Sequence, residues 1–157
     1  MSPWTIRRAA PEDAGRLVDF AVAMALETEH RTLARETVEA GIRAFLADAA
    51  LGECLVAVDE TGAVVGTLSV TFEWSDWRNG VFWWIQSVYV APAQRRQGVF
   101  GALHAELEGR ARRTPGVIGL RLYVERDNAR AMATYRALGM SETPYRVFET
   151  EFGSAKD

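Results

Sequence analysis

The sequence lacks almost everything that would tie it to a disulfide, a metal or a membrane. Cys54 is its only cysteine, which excludes an internal disulfide and a cysteine-based metal cluster. His30 and His104 lie too far apart in sequence to suggest a metal site, so no metal is expected. The longest apolar runs, such as Phe20 to Leu26, are far too short to span a bilayer, and no membrane partner is expected. The first residues, Met-Ser-Pro-Trp, show no basic stretch followed by an apolar one, which predicts no secretory signal and a cytoplasmic protein. A net charge of -3 gives no reason to expect a nucleic-acid partner, and Arg110, Arg112 and Arg113 read as a solvated helix end. Both common phosphate signatures, GxxxxGK[ST] and GxGxxG, are absent. No repeat, low-complexity tract or interdomain linker interrupts the chain, so residues 1–157 are read as a single domain.

What remains is a periodic pattern. Trp4 to Arg8 reads as a first strand. Pro11, Glu12 and Asp13 mark a helix start, because proline suits the first turn and acids suit the positive end of the dipole. Leu17, Val18, Ala21, Met24 and Ala25 give that helix an apolar stripe, and a second helix follows over about Glu36 to Asp48. Cys54 to Val58 is a strand closed by a turn at Asp59 to Gly62. On the next strand Leu68, Val70, Phe72 and Trp74 share one face, and Thr67, Ser69, Thr71 and Glu73 share the other. Asn79-Gly80 signals a hairpin turn into Val81 to Val90.

The stretch Trp83 to Gly101, WWIQSVYVAPAQRRQGVFG, is the centre of the pattern. Val81 to Val90 is apolar at nearly every position, as in a strand buried on both faces. Pro92 ends it, and Val99, Leu103, Leu107 and Ala111 then recur at helical spacing. A helix N-terminus carries unpaired N–H groups and attracts anions. Arg95 and Arg96 strengthen that attraction, and Gly98 lets a bulky anion such as a diphosphate approach the backbone. Solvated arginines before an ordinary helix are the competing reading.

The order strand, RRQGVFGAL, helix resembles motif A of the GNAT superfamily of acyl-CoA-dependent N-acetyltransferases. That loop runs Gln or Arg, two residues, Gly, one residue, then Gly or Ala. Arg95, Arg96, Gln97, Gly98 and Val99 fit; Phe100 stands where Gly or Ala is usual, and Gly101 comes one place late. LRLYVERDNARAMATYRALGM, Leu120 to Met140, resembles motif B, with Asn128, Tyr135, Leu138 and Gly139 in the motif's places. With Val117 to Glu125 and Tyr145 to Phe152 as the last strands, the order is β-α-α-β-β-β-α-β-α-β. The fold class is thus α/β with a mixed sheet, and the resemblance implies a splayed central parallel strand pair.

The resemblance implies acetyl-CoA as co-substrate and a primary amine of a small molecule or peptide as acceptor, attacking directly. The backbone of Val88, Tyr89 and Val90 would hold the pantetheine arm, and the loop Arg95 to Gly101 the diphosphate. Asn128 would hydrogen-bond the cofactor arm, with a helix cap as its competing role. Tyr135 would be the general acid that protonates the leaving thiolate. The general base stays open among Glu27, Glu29, Glu73 and Glu125, since Gln86 and Ser87 stand where many members place an acid. Trp74, Trp77, Trp83 and Trp84 could hold a cationic amine or pack in the core. An acyl-CoA sensor without turnover is the alternative function, and a homodimer is left open.

Overall fold

The computed structural model describes residues 2–153. The chain divides into two compact units, the first ending at Leu122 and the second beginning at Tyr123.

The first unit is a five-stranded mixed sheet in sequence order, flanked by helices. Its strands are β1 Thr5–Arg8, β2 Gly52–Val58, β3 Val64–Ser75, β4 Gly80–Val90 and β5 Val117–Leu122. The first four run antiparallel to their neighbours, and β5 lies parallel to β4. Helices α1, Ala14–Glu29, and α2, Arg35–Ala47, precede β2, and α3, Val99–Arg113, is the crossover that a parallel β4–β5 pair requires. Asp13, buried ahead of α1, accepts the Ala10 N–H at 2.7 Å and pairs with Arg7 at 2.7 and 3.0 Å.

Strand alternation sorts the side chains into two cores. Leu55, Leu68, Val70, Trp83 and Ile85 pack with Val99, Leu103, Leu107 and Ala111 of α3. On the other face Cys54, Val56 and Tyr89 pack with Leu17 and Phe20 of α1. Leu103 and Leu107 are fully buried, each contributing about 1.5–3 kcal/mol. Gly66 lets α3 sit this close, because a Cβ there would meet Val99 Cγ1 at 2.9 Å.

Two expectations change. The β3–β4 turn spans Asp76 to Asn79, and Gly80 is already paired with Ser75. Gly80 serves a close approach instead, since a Cβ there would meet Ile118 Cγ2 at 2.5 Å. The predicted last strand, Tyr145 to Phe152, is neither helix nor strand: β5 is the last strand among the described residues. Strand-like composition does not make a strand without a neighbour to take its peptide hydrogen bonds.

In the second unit Asn128 caps α4, Ala129–Ala137, its Oδ1 accepting the Ala131 N–H at 3.1 Å. Gly139, at φ 87°, supplies the left-handed residue just beyond the helix end. Among the described residues no helix is long and apolar enough to cross a membrane.

Candidate functional site

The site begins with an irregularity in β4. Ser87 pairs with Ser69 and Ile85 with Val70, so Gln86 is an extra residue, a β-bulge. The parallel ladder with β5 stops at the same place, its last pair being Ile85 with Leu122. β4 runs on to Val90, held by β3 alone within this sheet. The Ala91 N–H donates to Val65 O at 2.8 Å. Peptide groups alternate along a strand, so those of Tyr89 face β3 while those of Val88 and Val90 face the side on which β5 has ended. That side is a strand edge of the kind a linear amide-bearing ligand can join.

The chain then turns through Pro92–Gln94 into the basic loop. Arg96 is left-handed at φ 64°, and Gly98 caps α3 at φ 90°. A side chain at Gly98 would be strained there. A Cβ built at Gly98 or Gly101 meets nothing within 4 Å, so the start of α3 borders open space. The N–H groups of its first turn have no partner within the helix, and the dipole favours an anion beside them. Gln97 Nε2 is turned back to Ala93 O at 2.9 Å. Gln94 and Gln97 also line a shallow depression with Asp59 and Glu60, whose charge does not suit a phosphate. The groups of the loop able to meet an anion are therefore backbone N–H groups and arginine.

Arg95 has a partner the sequence did not suggest. Its guanidinium donates to Glu27 Oε2 at 2.7 Å and to Val90 O at 2.9 Å, and lies 5.2 Å from the centre of the Tyr89 ring. The Tyr89 hydroxyl donates to Glu27 Oε1 at 2.8 Å. Glu27, near the end of α1, is thus bound to β4 and to the basic loop at once. Hydrogen bonds from Arg95 and then Tyr89 hold its carboxyl below the usual range, while burial and Glu27 push the Tyr89 phenol up.

Glu73 sits elsewhere. It stands opposite Phe82 and pairs with Arg121 at 2.6 Å, roughly 20 Å of strand from Val88 at ~3.3 Å per residue. Arg121 lies 3.6 Å from the centre of the Phe82 ring. Of the tryptophans, Trp83 is buried in the α3-side core, whereas Trp74 and Trp77 are exposed on the hairpin. Gln86 Nε2 donates to Thr71 Oγ1 at 2.8 Å, which occupies the position where an acid was wanted. Among the described residues no group of three or more His, Cys, Asp or Glu side chains could hold a metal.

In the second unit the Asn128 side chain is a helix cap, a role that uses its oxygen and not its amide nitrogen. Tyr135 follows on α4, and burial raises its pKa, so the phenol keeps its proton through neutral pH. Two features were missed in the sequence: the bulge at Gln86, and the triad of Glu27, Tyr89 and Arg95. A signal for the bulge exists, because the polar pair Gln86-Ser87 breaks an otherwise apolar strand. Nothing in the sequence couples Glu27 to Arg95.

A sequence model of the Acetyltransferase (GNAT) family matches residues 16–140. No curated protein matches the chain by sequence. Among solved structures, a possible acetyltransferase from Clostridium difficile 630 is 38% identical, with a TM-score of 0.90 over 95% of this chain and 97% of that one. A ribosomal-protein-alanine N-acetyltransferase from Brucella melitensis biovar Abortus 2308 is 19% identical, with a TM-score of 0.75 over 96% and 99%. An aminoglycoside acetyltransferase from an uncultured soil metagenomic sample, in complex with sisomicin, is 16% identical, with a TM-score of 0.74 over 96% and 97%. The last two show a shared fold only.

Proposed function

The chain belongs to the Acetyltransferase (GNAT) family, and on that premise we propose that it is an N-acetyltransferase. It moves an acetyl group from acetyl-CoA to a primary amine of a small molecule or peptide by direct attack, as one catalytic domain. The observation that carries this reading is the coincidence of the Gln86 bulge with the end of the β5 ladder, just ahead of a glycine-capped helix start.

The residues present fit the co-substrate. Open space beside Gly98 and Gly101 admits a diphosphate, and the peptide groups of Val88 and Val90 suit an amide-bearing arm. When bound, acetyl-CoA supplies the thioester that the amine attacks. The N–H groups of Val99, Phe100 and Gly101, with Arg96, hold negative charge at the loop. The Val88 N–H donates to oxygen where charge develops on acyl transfer. Glu27 is the preferred base, because Arg95 and Tyr89 place it beside β4 as a carboxylate; it takes the ammonium proton through water. Glu73 is too far along the sheet for this. Tyr135 is the general acid, its proton retained at neutral pH. Asn128 offers its amide nitrogen to the cofactor arm.

A second reading has its own observation. With Glu27 ion-paired and Gln86 bound to Thr71, no uncommitted acid faces Val88 from these positions, as in a module that binds acyl-CoA without turning it over. Thiol release from acetyl-CoA across a panel of primary amines separates the two. Amine-dependent release supports the enzyme; tight CoA binding with release no faster than buffer supports the sensor.

A further inference from the structure

One guanidinium touches both parts of the proposed site, the open edge of β4 and the preferred base. Arg95 Nε donates to Val90 O at 2.9 Å, and its Nη2 donates to Glu27 Oε2 at 2.7 Å. Val90 O is the last acceptor of β4 on the side where β5 has ended. Glu27 Oε1 accepts the Tyr89 hydroxyl at 2.8 Å. Arg95 thus covers one end of the open edge and neutralises the carboxylate beside it. A guanidinium is a planar fork that matches an oxyanion through two parallel N–H bonds. At Arg95 that fork is split between a carbonyl and a carboxylate.

Such a pair can exchange partners. The Arg95 and Glu27 side chains are 42% and 40% exposed, and an ion pair so open to water adds little to stability. Asp13, in its pair with Arg7, is by contrast 9% exposed. Arg95 stands three residues ahead of Gly98, where the first-turn N–H groups of α3 favour an anion. A diphosphate there carries more charge than one carboxylate and offers the fork the geometry it prefers. Tyr89 is buried and its phenol keeps its proton, so its hydrogen bond still holds Glu27 when Arg95 turns away.

We propose that Arg95 is a positioning residue that makes the site assemble in order: it pairs with Glu27 in the free protein and turns to the diphosphate of coenzyme A when that anion binds. This rests on the acetyl-CoA reading and on Glu27 as the base. The order follows from charge. An ammonium acceptor is repelled by Arg95 while Glu27 is neutralised, and meets an unpaired carboxylate once Arg95 has turned. The amine therefore enters second. The ion pair that argues for a sensor is then a feature of the cofactor-free state alone.

Calorimetric titration with CoA, which needs no acceptor, tests this on the unchanged protein, Glu27→Gln, Arg95→Ala and the double variant. Glu27→Gln leaves Arg95 no carboxylate to give up, so CoA should bind about two- to fivefold tighter. In the Arg95→Ala background the same change should bring no gain, because Arg95 carries the coupling. A gain that persists without Arg95 is plain relief of charge repulsion and overturns the proposal, as does no gain in Glu27→Gln itself. Should Arg95→Ala fail to fold, NMR of the unchanged protein decides. The Arg95 Nε–H resonance should shift with CoA but not with adenosine; a resonance that CoA leaves in place, or that adenosine shifts equally, overturns the proposal. CoA that does not bind the unchanged protein at all overturns the co-substrate reading beneath it.

Discussion

At the scale of single residues, the start of α3 depends on Gly98, whose backbone lies in the left-handed region that side chains rarely adopt. The sequence points to Gly98 as a place where an anion comes close to the backbone, and its φ of 90° is a separate reason for glycine there. Gly98→Ala adds a Cβ that strikes nothing, so its cost is backbone strain, about 1–2 kcal/mol. A small fall in Tm with a larger loss of CoA affinity is expected; equal CoA affinity by calorimetry would separate Gly98 from the anion site. Tyr135→Phe should lower kcat by ~10²–10⁴ and leave CoA binding unchanged, and full turnover in that variant would remove Tyr135 as the acid. Asp13 is a structural counterpart. Its hydrogen bonds from Arg7, with one from Ala10 N–H, depress its folded pKa below the unfolded value of ~3.9. The stability it provides is therefore complete above about pH 5 and fades as pH falls through the lower, folded pKa. Asp13→Asn should lose about 1–3 kcal/mol at pH 7 and flatten that acid limb, read by urea melts at pH 3 to 7. Neither the Arg7–Asp13 pair nor the Glu27–Arg95 pair was readable, because partners brought together by helix docking leave no spacing signal.

At the scale of elements, period and punctuation carried most of the fold. The 3.6-residue stripes placed α1, α2 and α3, and alternation assigned β3 its faces correctly, with Leu68 and Val70 inside. Sequence failed where an element depends on another strand. The sequence predicts strand as far as Glu125, whereas β5 stops at Leu122, and it predicts a continuous strand through Gln86, which is the bulge. Pairing is a property of two strands, so neither end nor bulge is written in one of them. Gly66 links element packing to the site, because it sets the distance between β3 and the first turn of α3. Gly66→Ala places a Cβ at 2.9 Å from Val99 Cγ1 and 3.4 Å from Leu103 Cδ1, which forces α3 outward. A loss of about 1–3 kcal/mol and weaker CoA binding are expected together. If calorimetry finds the stability lost and CoA affinity intact, the loop is not held in place through α3.

At the scale of the whole molecule the argument rests on what binding does to the folded state. The loop asks five consecutive residues, Arg95 to Val99, to hold one backbone path, with Arg96 and Gly98 both left-handed. No side chain caps α3 at Gly98, so the first-turn N–H groups are the part of this unit an anion would complete. A ligand that binds only the native state stabilises it by mass action, about 2.7 kcal/mol at 100 times its dissociation constant. At about 2–4 °C per kcal/mol for a chain of this size, saturating CoA should raise Tm by roughly 5–10 °C. Acetyl-CoA should do the same, and adenosine without the diphosphate should do much less. The comparison matters more than the shift itself, because it asks whether the diphosphate is what the loop holds. If adenosine and CoA stabilise equally, the anion site at α3 is not where the affinity lies, even with the family assignment intact.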